Sequence, residues 1–161
     1  MESVGAVYSR ISSHIFGDWN ACGKVMGLAP WAKVWANDNE ASAPFKLMEG
    51  NLLKDEGEHG CFKVNWDEIE KLPHVNKLCE KELRPFYAQL ALQVQTDLED
   101  IALEFIASLK KQTNAKNLCF VGGVALNSVL NGRIIREAGF ERVHFCNFPG
   151  DEGVSIGCAA F

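Results

Sequence analysis

The sequence predicts an α/β domain whose C-terminal end is a parallel βαβ unit, and three observations lead there. A short apolar run, a glycine turn and a helical segment follow one another over 117–138, and the same order returns over 143–161. An amphipathic helix of about Arg84 to Lys111 precedes this unit. A further helix, around residues 3–16, opens the chain. Strand, glycine loop and helix, twice over, imply two parallel strands joined by a right-handed crossover.

Each element has a local cause. Val4, Val7, Tyr8, Ile11 and Ile15 recur at helical spacing, and Gly17 supplies the stop. Residues 17–24 read as a turn-rich connection, followed by a short apolar segment, Lys24 to Pro30, punctuated by Gly and Pro. Residues 31–60 read as irregular, with one strand at Phe45–Met48 and a charged turn around Asp55–Gly60. Cys61–Val64 reads as a short strand, and Asn65 or Asp67 as the cap of a brief helix through Lys71. On the long helix, Phe86, Leu90, Val94, Leu98, Ile101, Phe105 and Leu109 fall on one stripe, and Pro85 sits where a first turn tolerates it. Asp97, Glu99, Asp100 and Glu104 then form a solvated face. Asn117–Val121 reads as a short buried-type strand and Val143–Cys146 as a second strand, and Gly139 ends the helix between them.

Composition bounds the function. The 161 residues suit one compact domain or a piece of a larger one. With 47% apolar and 23% charged residues, the composition argues against disorder, collagen and coiled coil. Sixteen basic residues against 21 acidic ones give a net charge of −5, which argues against non-specific nucleic-acid binding. No apolar run approaches the ~18–20 residues of a membrane span, and Met1–Ser12 does not read as a signal peptide. A cytoplasmic protein is expected. The six cysteines, at 22, 61, 79, 119, 146 and 158, form no CxxC pair and read as reduced thiols, several of them buried.

In a parallel pair the C-terminal strand ends share one edge of the sheet, with neighbouring strands only ~4.8 Å apart. Gly122-Gly123 and the Gly150–Gly153 loop are therefore expected to face one crevice. Each loop opens a helix, whose free N–H groups favour phosphate, and glycine lets the backbone come close. Plain β-to-α turns are the alternative. Asp151 has two readings, a ligand for a phosphate-bridging metal or a helix cap, and spacing alone favours the cap.

These residues also carry a resemblance. Phe120 to Ser128, followed by Asn131-Gly132-Arg133, closely resembles the "GGVALN…NGR" segment of the nodulation-type O-carbamoyltransferase family. Pro149 to Gly153, followed by Gly157-Cys158-Ala159-Ala160, is similar to its "GD.G…G.A" segment, and Lys24 to Pro30 to its "KVMGLAP" stretch. Residues 31–80 match least, and Trp31-Ala32 stands where "YG" is expected.

The resemblance implies an actin-like ATPase (ribonuclease H-like) half-domain with a mixed sheet, spanning 1–161 as a fragment. It is similar to the tRNA threonylcarbamoyl-transferase proteins. An upstream subdomain and an adenylate-forming domain would belong to the rest of the full-length chain. The implied substrates are carbamoyl phosphate, ATP and a hydroxyl acceptor on a sugar or natural product, with carbamoyl-adenylate between them. Gly122, Gly123 and Asn127 would contact the nucleotide, Gly150 and Gly153 would shape the second phosphate loop, and Lys24 and Gly27 would lie near the adenosine. Asp151 would ligate a divalent metal, Fe²⁺ or Mg²⁺, acting as a Lewis acid on the carbamoyl carbonyl. The family's HxxxH ligand pair is missing, since His14, His59, His74 and His144 include no pair four apart, and no general base is identified. A non-catalytic scaffold of the same superfold and a sugar-kinase-like phosphotransferase are the alternatives. No membrane or nucleic-acid partner is expected.

Overall fold

The computed structural model describes residues 3–35, 48–49, 63–72 and 80–160. They form two compact units, residues 1–101 and 102–161.

The first unit is built on helix α1 (Val4–Phe16). The Ser3 side chain accepts the Ala6 N–H at 3.2 Å, and Gly17, at φ 67°, closes the helix by donating to the Ser13 carbonyl at 2.8 Å. Val7, Tyr8, Ile11 and Ile15 are buried, as their spacing requires. The Lys24–Pro30 segment falls largely within helix α2 (Cys22–Leu28), which buries Val25 and Leu28. A third helix, α3 (Trp31–Trp35), occupies the start of a stretch that reads as irregular in sequence, with the Trp31 and Trp35 rings 5.2 Å apart. Strands β1 (Met48–Glu49) and β2 (Lys63–Val64) pair antiparallel, and α4 (Trp66–Glu70) follows. Asn65 stands at its N-cap without a side-chain cap bond. Arg10 grips Glu70 with two hydrogen bonds, of 3.0 and 2.6 Å. Residues 45–47, 50–60 and 61–62, which carry the rest of the expected strands and turn, lie outside the described residues.

Helix α5 (Arg84–Thr113) matches its expected range. Its stripe is buried at Leu90, Val94, Leu98 and Ile101, but Phe105 and Leu109 are exposed, and Ile106 is buried instead. Beyond Ile101 the helix belongs to the second unit, so the face that packs there is set by different neighbours. Glu99 also departs from its expected solvated face, being buried and hydrogen-bonded to the Gln95 amide at 2.5 Å.

The second unit is the βαβ device. Strands β3 (Asn117–Phe120) and β4 (Arg142–Phe145) pair parallel, with Asn117 opposite Arg142 and Phe120 opposite Phe145. Helix α6 (Ser128–Glu137) connects them and buries Leu130 and Ile134 completely. Gly139, at φ 70°, turns the chain out of it, and α7 (Glu152–Ala160) follows β4. Among the described residues the strands form two separate pairs, not one mixed sheet. The cysteine expectation also needs correction. Of the four described, Cys119 and Cys158 are exposed and Cys22 and Cys146 half-buried; Cys119 lies on the strand face that alternation turns outward. Cys61 and Cys79 lie outside the described residues.

On α6, Arg133 binds Glu137 one turn on, at 3.1 and 2.9 Å. This hydrogen bond is the main cause that holds the Glu137 carboxyl below its ordinary value of 4.5. A lowered carboxyl contributes stability above its unfolded pKa and loses it as pH falls through the folded one. The pair is exposed, so a titration reads it better than a melting curve does. Carboxyl NMR is expected to show Glu137 titrating below 4.5, and Arg133→Ala to raise it toward the ordinary value. An unchanged midpoint in Arg133→Ala would remove Arg133 as the cause.

Candidate functional site

Parallel, in-register pairing of β3 and β4 puts their C-terminal ends on one edge of the sheet. The turns that follow meet there directly. The Gly122 N–H donates to the Pro149 carbonyl at 2.7 Å, so the two glycine turns are joined by a backbone hydrogen bond. Gly122 has φ 99° and ψ 167°, a region open essentially only to glycine. Its carbonyl accepts the Ala125 N–H at 2.9 Å, starting the short 3₁₀ turn Gly123–Leu126. A Cβ on Gly123 would meet nothing within 4 Å, so the backbone there is open to a ligand.

Asn127 ends that turn and caps α6. Its Oδ1 accepts the Leu130 N–H at 3.0 Å. This gives Asn127 a structural task beside the nucleotide contact expected of it. Asn131, one helical turn on, reaches back and donates from Nδ2 to the Ala125 carbonyl at 2.8 Å. Its part was not visible in the sequence, where it stood only as a letter of a motif.

The second turn is tight. Gly153 N–H donates to the Gly150 carbonyl and Val154 N–H to the Asp151 carbonyl, each at 3.1 Å. A Cβ on Gly153 would run into the Phe148 carbonyl oxygen. Asp151 stands exposed, immediately before α7, and its carboxylate makes no hydrogen bond or ion pair among the described residues. The cap bond that spacing alone favoured is therefore not formed. Instead Glu152 folds back, and its Oε1 accepts the Gly150 N–H at 3.1 Å. An anion drawn to that N–H must displace a carboxylate, another feature the sequence reading missed.

Lys24 and Gly27 belong to the first unit, both on the exposed side of α2. The Lys24 ammonium lies 5.8 Å from the centre of the Phe16 ring. Leu28 is buried and Met26 half-buried, as packing residues. Among the histidines, His14 is fully buried in α1 and His144 is exposed on β4, while His59 and His74 lie outside the described residues. Among the described residues no three His, Cys, Asp or Glu side chains are grouped to hold a metal.

The chemistry this arrangement supports is anion binding at backbone. Helix α7 opens at one turn and the 3₁₀ turn at the other, and the first N–H groups of a helix are where an anion is bound.

The family described as "Carbamoyltransferase N-terminus" matches residues 1–160. An uncharacterized protein of Synechocystis is 30% identical over 172 residues, covering 98% of this chain and 26% of that protein. The nodulation protein NolO of Bradyrhizobium diazoefficiens is 27% identical over 84% of this chain and 24% of its own length. The nodulation protein NolNO of Sinorhizobium fredii is 26% identical over 98% of this chain and 22% of its own. The chain thus spans about a quarter of the length of these relatives.

Proposed function

The chain belongs to the carbamoyltransferase N-terminus family, and from that premise we propose that it is the nucleotide-holding part of an O-carbamoyltransferase. The observation that carries the reading is the 2.7 Å hydrogen bond from Gly122 N–H to the Pro149 carbonyl, which joins two glycine turns on one rim. In this proposal the unit is half of an actin-like ATPase domain. It takes ATP and the carbamoyl-adenylate formed from carbamoyl phosphate, and the carbamoyl group passes to a hydroxyl of a sugar or natural product. The remainder of a full-length chain supplies the upstream subdomain and the adenylate-forming domain.

Each residue has a task. Gly123 lets phosphate approach the first turn. Gly150 and Gly153 shape the second, and Asn127 fixes the helix start beside the ligand. Backbone N–H groups at both turns hold the phosphate as the acceptor oxygen attacks and AMP departs. A divalent cation bound with the nucleotide would supply Lewis-acid polarisation, and Asp151 is this chain's donor to it. A single carboxylate acting with substrate phosphates suits Mg²⁺. Fe²⁺ held by a protein triad would need donors beyond those described here. No described helix is long and apolar enough to cross a membrane, and a cytoplasmic setting, where ATP and carbamoyl phosphate are at hand, completes the proposal.

Calorimetric titration with ATP tests it. Asp151→Asn is expected to erase the affinity that Mg²⁺ adds, about tenfold, while leaving metal-free binding in place. Glu152→Gln is expected to tighten ATP binding, because a neutral amide competes less for the Gly150 N–H. If Asp151→Asn keeps the full Mg²⁺ response, the metal assignment is wrong. AMP release from ATP, carbamoyl phosphate and a hydroxyl acceptor, measured on a protein that also carries the adenylate-forming domain, separates transfer from the scaffold alternative.

A further inference from the structure

We propose that Asn131 is a positioning residue for the first phosphate turn, an inference that rests on the nucleotide reading above. Two features of its amide carry it. Nδ2 donates to the Ala125 carbonyl at 2.8 Å, tying the interior of the 3₁₀ turn to the body of α6. Oδ1 is buried and has no hydrogen-bond partner among the described residues.

A buried acceptor without a partner is unfavourable by about 1–3 kcal/mol. An apolar side chain of the same shape would avoid that loss, so asparagine is not the residue that stability alone selects here. What the amide provides is the grip on Ala125, which follows directly on Gly122, Gly123 and Val124. The same turn is tied at its other end by Gly122 N–H to Pro149. Held at both ends, Gly123 presents its backbone at a fixed place on the rim. With Asn131 removed, the Pro149 tie and the Asn127 cap still form, but the middle of the turn is free to tilt away from a phosphate.

Asn131→Leu removes the grip and the orphan acceptor together at similar volume, and Asn131→Ser shortens the side chain so that it no longer reaches. In both, the thermal midpoint is expected to stay within a few degrees, while the Kd for ATP rises about tenfold. Amide hydrogen exchange is expected to quicken at Gly123 and Val124, not at Leu130. If exchange quickens and the ATP affinity is unchanged, Asn131 shapes the turn without serving the ligand and the inference is wrong, with the nucleotide reading intact. If the unsubstituted chain binds no ATP, the nucleotide reading fails and takes this one with it. If neither variant folds, Asn131 is a structural residue and the proposal falls.

Discussion

Alanine at Gly122 and alanine at Gly153 are expected to disable the two turns by different routes, each losing about 1–3 kcal/mol of stability and most of the ATP binding. Gly122 has open space around it, since a Cβ there meets nothing within 4 Å. Its loss comes wholly from the backbone, because φ 99° with ψ 167° strains any L side chain. Gly153 carries no such dihedral. There the added Cβ meets the Phe148 carbonyl oxygen, which is backbone and cannot swing aside. Phe148 adjoins Pro149, whose carbonyl accepts the Gly122 N–H, so harm at one turn reaches the other. The double variant should therefore lose less than the sum of the singles. Gly123→Ala is the control. Without a positive φ and with free space, it should stay within about 0.5 kcal/mol of the parent. Its methyl group nevertheless stands where phosphate would approach, so ATP affinity should still fall. Urea unfolding beside ATP titration reads all four proteins. A Gly122→Ala chain with parental stability and affinity would show that the turn is neither strained nor used.

These turns were legible in the sequence because their causes are local. A glycine that ends an apolar run marks a strand-to-helix turn, and parallel pairing then fixes which edge it occupies. The grip of Asn131 and the folded-back Glu152 were not legible, because each depends on where a particular backbone atom ends up. Helix α2 was missed for a related reason. Gly23 and Gly27 each weaken a helix by about 1 kcal/mol against alanine, and Pro30 suggests a turn, yet burial of Val25 and Leu28 outweighs that preference. On α5 the stripe was read correctly as far as Ile101. Phe105 and Leu109 have the right spacing but stay exposed among the described residues, and spacing carries no information about what lies opposite.

The most consequential misreading concerns Glu99, and it yields the last expectation. Tyr8 donates its hydroxyl to Gln95 Oε1 at 2.8 Å, and Gln95 Nε2 donates to Glu99 Oε1 at 2.5 Å. All three residues are buried. The chain links α1 to α5 across 87 residues of sequence, inside the unit that also carries Lys24 and Gly27. Gln95→Ala takes one hydrogen bond from a buried hydroxyl and one from a buried carboxylate, and at ~1–3 kcal/mol for each the loss should be about 2–6 kcal/mol. For a chain of this length each kcal/mol lowers the thermal midpoint by about 2–4 °C. Gln95→Leu nearly restores the volume, which separates packing from hydrogen bonding. If the amide matters, Leu is almost as damaging as Ala. If Leu recovers the parental midpoint, volume alone is what position 95 provides. Tyr8→Phe removes the first bond and leaves the second in place, so it should lose less than Gln95→Leu. Combined with Gln95→Leu it should add less than it does alone, because the bond to Gln95 is already gone.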